Sequence, residues 1–384
     1  MLATDIKLRN WRNFQSSEVR LSQRSFILGA NASGKSNFLD VFRFLRDVCS
    51  EQGGGIQKAI RSRGGISKLR CLSARRDPSI QIDITLKPST VSEDTWRYVL
   101  AIGQEQRGYR RPLVDSEEVY KNGLLILQRP DRADREDPER LTQTHIEQVN
   151  DNVQFREIAR FFGTVTYLHI VPQLLRFSDE IQGRTIETDP FGQGFLDRVA
   201  KTSPRSQKSR LSQIEKALKI AVPNLEQLKF ERDASTGRPH LAALYSHWRP
   251  NAGWQREDQF SDGTLRLIGL LWSLLEDDSL LLLEEPELSL NSGIVAKLAP
   301  LIARLQRKRG RQVLISTHSI ELLSDEGISP EEVIVLDTSG ESTKAVNLSE
   351  MNEICDLVHS GFSIGEAVLP RTIPRQIGMF ADLD

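Results

Sequence analysis

Gly29-Ala-Asn-Ala-Ser-Gly-Lys-Ser36 is the segment that most limits how this chain can fold. It follows an apolar run, Ser25–Leu28. It precedes a stretch in which Phe38, Leu39, Val41, Phe42 and Leu45 fall on one helical face. The reading is strand, glycine turn, helix, and the pattern is GxxxxGK[ST]. Gly29 and Gly34 let the backbone wrap an anion, with loop N–H groups turned inward at a helix N-terminus. Lys35 is placed to neutralise β- and γ-phosphates, and Ser36 to put a hydroxyl on Mg²⁺. Asn31, Ser33 and Asn37 complete the expected cradle for a nucleotide, with ATP and Mg²⁺ as the ligands. Such a loop needs a parallel sheet behind it, because it sits at the carboxyl end of a strand covered by helices.

The rest of the chain supplies that sheet. From Gln259 onward the pattern alternates: helix Ser261–Leu275, strand Leu280–Leu283, helix Ser292–Gln306, strand Val313–Ser316, then strand Val333–Leu336. Earlier segments read differently. Ile6–Leu8 and Glu18–Leu21 are short strands, and Ser79–Leu86 alternates through Ile80, Ile82, Ile84 and Leu86, a half-buried strand that pairs with Trp96–Ile102. Val119–Leu127 around Asn122-Gly123 reads as a hairpin. Arg129–Arg140, dense in mixed charge, reads as an exposed loop. Phe155–Phe162 and Ser206–Ile220 read as helices, Val165–Ile170 as a strand, and Leu225–Phe230 with Leu241–Trp248 as a strand pair. With 384 residues the chain can bury a large core without staples. The expected division is residues 1–128, 129–235, 236–345 and a tail, 346–384.

Bulk composition excludes several classes. The formal net charge of −1 provides no global field toward nucleic acid or membrane, so any such binding must be local. Three scattered cysteines, Cys49, Cys71 and Cys355, form no CxxC pair and suit a reducing cytoplasm. No run is apolar enough for a signal peptide or a bilayer span. A cytoplasmic protein without a membrane partner is expected.

Three further segments fit the glycine loop. Leu280–Leu283 is uninterruptedly apolar and runs straight into Glu284 and Glu285. Carboxylates at the carboxyl end of a buried strand can approach a metal (Glu284) and orient a water (Glu285). Phe260-Ser-Asp-Gly-Thr264 opens a helix. Ser261 alone would be only a cap, but with the other motifs the helix start becomes an anion site offered to a second subunit through Ser261 and Gly263. His318 follows strand Val313–Ser316, where it can hydrogen-bond a γ-phosphate or the attacking water.

Taken together, these motifs resemble the ABC-type ATPases of the RecF, SMC and OLD group, in particular short bacterial stand-alone "AAA family" members. The resemblance covers about 1–50 and 160–340. It implies an α/β ABC-ATPase head: a P-loop sheet core of parallel or mixed strands, an N-terminal antiparallel β subdomain and a helical signature subdomain. It implies a signature motif at Phe260–Thr264 that binds ATP held by a second protomer, and a switch histidine at His318. By the same resemblance Arg12 and Asn13, in the opening segment Leu8–Phe14, approach the nucleotide. Gln173, in Val171-Pro-Gln-Leu-Leu175 where the group places its Q-loop, contacts Mg²⁺ or water. Two departures stand out: Glu284 replaces the usual Asp, and Leu288–Asn291 lacks the usual D-loop Asp or His.

Relatives differ in what they carry beyond the head. No coiled coil or CxxC hook is present. The stretch after Leu336 is too short for a TOPRIM domain, and Asp382 and Asp384 mimic a DxD motif with nothing around it. The expected function is therefore an Mg²⁺-dependent ATPase that forms a head-to-tail homodimer, or a higher oligomer, on ATP. It would regulate a separately encoded effector, such as a nuclease, in anti-phage defence or genome maintenance. The alternative is a RecF-like, ATP-gated DNA-binding repair protein. Lys58, Arg61, Arg63, Lys68, Arg70, Arg75 and Arg76 form a run without an acid that would hold DNA, and Arg307–Arg311 is a second basic cluster. A transporter subunit is disfavoured by the RecF-like start.

Overall fold

The computed structural model describes residues 1–51, 53–74, 77–105, 108–176, 194–249, 253–276, 279–338 and 340–372. The first strands are β1 (Leu2–Trp11), β2 (Phe14–Arg20), β3 (Arg24–Leu28), β4 (Ile80–Lys87), β5 (Trp96–Gln104), β6 (Pro112–Lys121) and β7 (Leu124–Arg129). The later ones are β8 (Thr166–Leu168), β9 (Leu225–Arg232), β10 (Pro239–Tyr245), β11 (Trp254–Arg256), β12 (Leu281–Glu284), β13 (Val313–Ser316), β14 (Val333–Asp337) and β15 (Lys344–Asn347).

A six-stranded sheet in the order β15-β14-β3-β13-β12-β8 forms the core, parallel except for β15. Its central strands β3 and β13 are buried along their whole length, as a sheet covered on both faces requires. The register pairs Glu284 with Ser316 and Ser316 with Ile27, so the carboxyl ends of β12, β13 and β3 finish at one level. That level is where ligands collect in such sheets.

The second six-stranded sheet, β2-β1-β4-β5-β6-β7, is antiparallel throughout. Its inner face presents Ile80, Ile82, Ile84 and Leu86, all fully buried. The helix Lys35–Val48 lies between the two sheets, and its Phe38, Leu39, Phe42 and Leu45 share one apolar cluster with Ile82, Ile84, Leu282 and Leu314. The opposite face of the core sheet packs under the helices Asp262–Glu276 and Leu298–Arg309. Pro204–Ala221 packs against Asp262–Glu276, and β9, β10 and β11 make a small antiparallel sheet beside them.

Several expectations are corrected. The segment Arg129–Arg140 is not an exposed loop: it contains a short helix, Arg132–Glu136, a 3-10 turn, Pro138–Thr142, and a fully buried ion pair between Arg129 and Asp134. Local charge density says nothing about partners far along the chain, and Glu117 on β6 is the other buried partner. The helix expected over Ser292–Gln306 is two, Ser292–Val295 and Leu298–Arg309, broken at 296–297. Strands β11 and β15, three and four residues long, carry too short a pattern to be seen in sequence. Among the described residues no helix is long and apolar enough to cross a membrane. Arg75, Arg76, Asp382 and Asp384 lie outside the described residues.

Candidate nucleotide-binding site

The glycine loop joins β3 to the helix Lys35–Val48. Gly34 sits at φ +101°, a left-handed conformation that favours glycine, and a Cβ there would lie 2.1 Å from the Asn13 side chain. The helix starts without a side-chain cap and without an acid in its first turn, leaving its leading N–H groups for an anion. Ser33 is fully buried and its hydroxyl has no hydrogen-bond partner among the described residues. Asn31 is exposed at the loop tip. Lys35 is buried and curls back to donate to the carbonyls of Gly29 (3.1 Å) and Ala30 (3.2 Å). Burial pushes its ammonium pKa down, against the pull of Glu285, Glu284 and Glu287.

Asn13 braces this loop. Its Nδ2 donates to the Ser33 carbonyl at 2.7 Å, and its Oδ1 accepts from Asn37 at 2.8 Å. Arg12 pairs with Asp40 on the following helix at 2.6 Å. Of the residues expected to approach the nucleotide, Asn13 thus holds the loop backbone and Arg12 holds the helix behind it.

The acidic side of the site comes from β12. Glu284 accepts hydrogen bonds on both oxygens, from Ser36 Oγ on Oε1 and from the Tyr167 hydroxyl on Oε2. Glu285 adopts φ +45°, a left-handed conformation uncommon outside glycine. Its N–H donates to the Ser316 carbonyl at 2.9 Å, which aims the side chain along the strand ends. Its Oε1 lies 2.9 Å from His318 Nε2, and His318 Nδ1 lies 3.4 Å from Lys35 Nζ. An ammonium has only donors, so Nδ1 must accept and Nε2 carries the hydrogen that faces Glu285. Burial, with the positive Lys35 beside it, holds the His318 pKa below the ordinary histidine value.

Two contributors were not anticipated. Glu287 is buried, accepts from the Thr317 hydroxyl and from the His318 N–H (3.2 Å), and thereby shapes the turn that carries His318. Burial raises its pKa, and its second oxygen has no hydrogen-bond partner among the described residues. Its place two residues after Glu285 was the available signal. Tyr167 had none beyond being the polar-headed aromatic in an apolar strand.

The Ser261 hydroxyl accepts from the Thr264 N–H at 3.2 Å, as an N-cap does. A Cβ on Gly263 would lie 2.7 Å from the Ser289 carbonyl, so the helix start packs against the loop after Glu287. Gln173, expected at the metal, donates instead to Asp262 at 3.2 Å. Arg176 joins it at 2.7 Å and also holds the Phe260 carbonyl. Asn291, where the D-loop acid is missing, caps the helix Ser292–Val295 through the Gly293 N–H.

The basic segment is divided. Lys58, Arg61, Lys68 and Arg70 are exposed, but the Arg63 side chain is covered and pairs with Asp40 and Asp47 at 3.0 and 2.9 Å, so it belongs to the scaffold. In the second cluster Arg311 is buried and bonded to the Ser273 and Ser279 carbonyls, another structural role.

The residues present fit a nucleotide and Mg²⁺. An uncapped helix start, a glycine turn with no room for side chains and a buried lysine suit phosphates. A hydroxyl beside a carboxylate suits a hard cation that keeps waters and phosphate oxygens as its other ligands. Among the described residues no cluster of three or more His, Cys, Asp or Glu is placed to cage a metal alone.

This sheet order and this loop define a P-loop NTPase with the fold of an ABC-type ATPase head. The chain belongs to the family described as "AAA domain, putative AbiEii toxin, Type IV TA system", whose pattern matches residues 25–324. No curated protein sequence matches it. Among solved structures it is similar to an SMC head bound to the C-winged helix domain of ScpA, with a TM-score of 0.54, 14% identity, and coverage of 90% of this chain and 97% of that one. It also matches an SMC head domain from Thermotoga maritima (TM-score 0.46, 13% identity, 90% and 99% covered). A third match is an SMC head with an extended coiled coil bound to the C-terminal domain of ScpA, derived from Pyrococcus furiosus (0.48, 12%, 93% and 99%). The first of these likenesses bears on the fold: the chain has the mixed α/β architecture of an ABC-ATPase head.

Proposed function

We propose that this chain is an ATP-hydrolysing switch whose dimer state follows the γ-phosphate. The observation that carries the reading is the convergence of Lys35, Ser36, Glu284, Glu285 and His318 through hydrogen-bond distances in one protomer. Loop N–H groups and Lys35 would hold the phosphates, with Ser36 and Glu284 holding Mg²⁺. Bound there, Mg²⁺ would neutralise charge developing on the phosphate oxygens. Glu285 would accept a proton from the attacking water, and His318, hydrogen-bonded to it, would orient the pair.

Dimerisation is supported by where the signature helix points its bonds. Among the described residues, the side-chain hydrogen bonds of Ser261 and Asp262 run to Thr264, Gln173 and Arg176, and none to Gly29–Ser36. That leaves the helix start for a nucleotide held by a second copy. ATP would contact both copies and ADP fewer, so differential affinity drives the switch. The family's description, "putative AbiEii toxin, Type IV TA system", supports a place in a toxin–antitoxin system; anti-phage regulation of a separately encoded effector in the cytoplasm is our extension of it. The SMC head seen with ScpA supports a protein partner on a head of this shape. Exposed Arg61, Lys68 and Arg70 favour one second reading, ATP-gated DNA binding. Loss of salt-sensitive DNA affinity on reversing these three charges would support it, and absence of DNA binding at low salt, with or without ATP, would dismiss it.

The deciding experiment is the solution mass of Glu285→Gln by light scattering, with and without Mg·ATP. A monomer that becomes a dimer only with ATP supports the switch. An unchanged mass removes it.

A further inference from the structure

Glu284 is one methylene longer than an aspartate, and the structure holds that extra length from two sides. Tyr167 pairs with Leu282 in the β8–β12 register, and Leu282 and Glu284 face the same side of the sheet. The Tyr167 ring therefore runs along the sheet and its hydroxyl reaches Glu284 Oε2. Ser36, from the helix above, reaches Oε1. The ring is itself clamped. It is buried, and the Arg43 guanidinium lies over it at 4.1 Å. Arg43 follows Ser36 by two helical turns, so both project from one face of the helix onto the same strand pair. Asp40, at 3.9 Å, steadies Arg43.

We propose that Tyr167 is a positioning residue that keeps Glu284 a one-oxygen ligand and so sets a preference for Mg²⁺ over Ca²⁺. The inference rests on the nucleotide reading above. Magnesium demands a compact octahedron and is bound by carboxylates through single oxygens together with waters and phosphates. Calcium takes more oxygens and accepts both from one carboxylate. With Oε2 engaged by Tyr167, only Oε1 and Ser36 Oγ remain as a pair to face a cation. Removing the hydroxyl frees Oε2 and lets the carboxylate turn both oxygens inward, which favours the larger ion. The phenyl ring left by Tyr167→Phe keeps the packing under Arg43.

The test is binding of a fluorescent ATP analogue to the full chain with Mg²⁺, with Ca²⁺ and with EDTA. For the native protein, affinity should be higher with Mg²⁺ than with Ca²⁺. Loss of a hydrogen bond to a charged oxygen should narrow that ratio by about fivefold or more in Tyr167→Phe, with affinity in EDTA unchanged. Glu284→Asp, too short to reach Tyr167, should narrow the ratio in the same direction even if Tyr167→Phe does not fold. A native ratio in a folded Tyr167→Phe, or in Glu284→Asp, overturns the assignment. Failure of the native protein to bind the analogue under any condition overturns the nucleotide reading itself, and this inference with it.

Discussion

The Nε2 of His318 lies 2.9 Å from Oε1 of Glu285, and this contact ties the proposed base to the proposed switch histidine before any nucleotide is considered. Burial and the charge on Lys35 depress the His318 pKa, so the neutral imidazole is the native form. In the unfolded chain this histidine titrates near ~6.5. Between that value and the lower folded one, the unfolded state binds the extra proton. The contribution of His318 to stability is therefore present above the unfolded pKa and lost as pH falls through the folded one. We expect ATPase activity to hold at pH values where an ordinary histidine is already protonated and to fall only further into acid. His318→Gln should be slower at every pH and lack that acid limb. A pH–rate profile of phosphate release checks this, and an unaltered limb in the variant would assign it to another group.

Glu285 is expected to be needed for chemistry and not for binding. Glu285→Gln keeps the shape and the hydrogen bond to His318 but cannot take a proton, so phosphate release should drop by about a hundredfold or more. Lys35→Ala should instead abolish ATP binding, because the buried ammonium is the loop's fixed positive charge. Filter binding and steady-state release, measured on both variants, separate the two roles. Tight binding by Lys35→Ala would contradict the loop's assignment.

Gly34 is expected to tolerate no side chain. At φ +101° an alanine carries a backbone cost of about 1–3 kcal/mol. Its Cβ would also strike Asn13, which could move only by giving up the Ser33 carbonyl and Asn37. Gly34→Ala should lower the unfolding midpoint and remove ATP binding. Asn13→Ala should weaken ATP binding less, by loosening the loop. Nucleotide titrations on both variants, with thermal unfolding alongside, decide the order.

The fold was legible where the chain repeats one period over a long stretch. The β3 loop and helix, the alternation through Ile80–Leu86 and the apolar strand before Glu284 all read correctly because burial imposes their patterns locally. What sequence could not show is which polar groups meet across distance. Arg12, Arg63 and Arg311 look alike as basic residues, yet each is absorbed by a carboxylate or carbonyl of another element. Gln173 and Asp262 are 89 positions apart, and only the packing of two helices brings them to 3.2 Å. Tyr167 and Glu287 were passed over for the same reason, since their partners lie on other strands or turns.

The buried cluster around Arg129 offers a prediction away from the nucleotide. Arg129, Asp134 and Glu117 have fully buried side chains, with Arg129 bonded to Asp134 at 2.8 and 2.9 Å and to Glu117 at 3.1 Å. Glu117 also accepts from the Tyr98 hydroxyl and from the N–H groups of His145 and Ile146, so the cluster pins residues 129–146 onto the antiparallel sheet. Arg129→Ala would take from Glu117 the buried cation it pairs with and leave Asp134 paired with the more exposed Arg140, which costs about 3–5 kcal/mol. The hydrogen bonds from Arg129 hold the Asp134 carboxyl well below the usual carboxylate range. Its stabilising contribution is complete above the unfolded value near ~3.9 and disappears as pH falls through the folded one. Urea unfolding should therefore show a large loss for Arg129→Ala at neutral pH and a smaller difference from the native protein in strong acid. ATP binding in the folded fraction should stay near native, because no residue of this cluster contacts Gly29–Ser36. Equal destabilisation at both pH values would mean that lost packing, and not the ion pair, accounts for the effect.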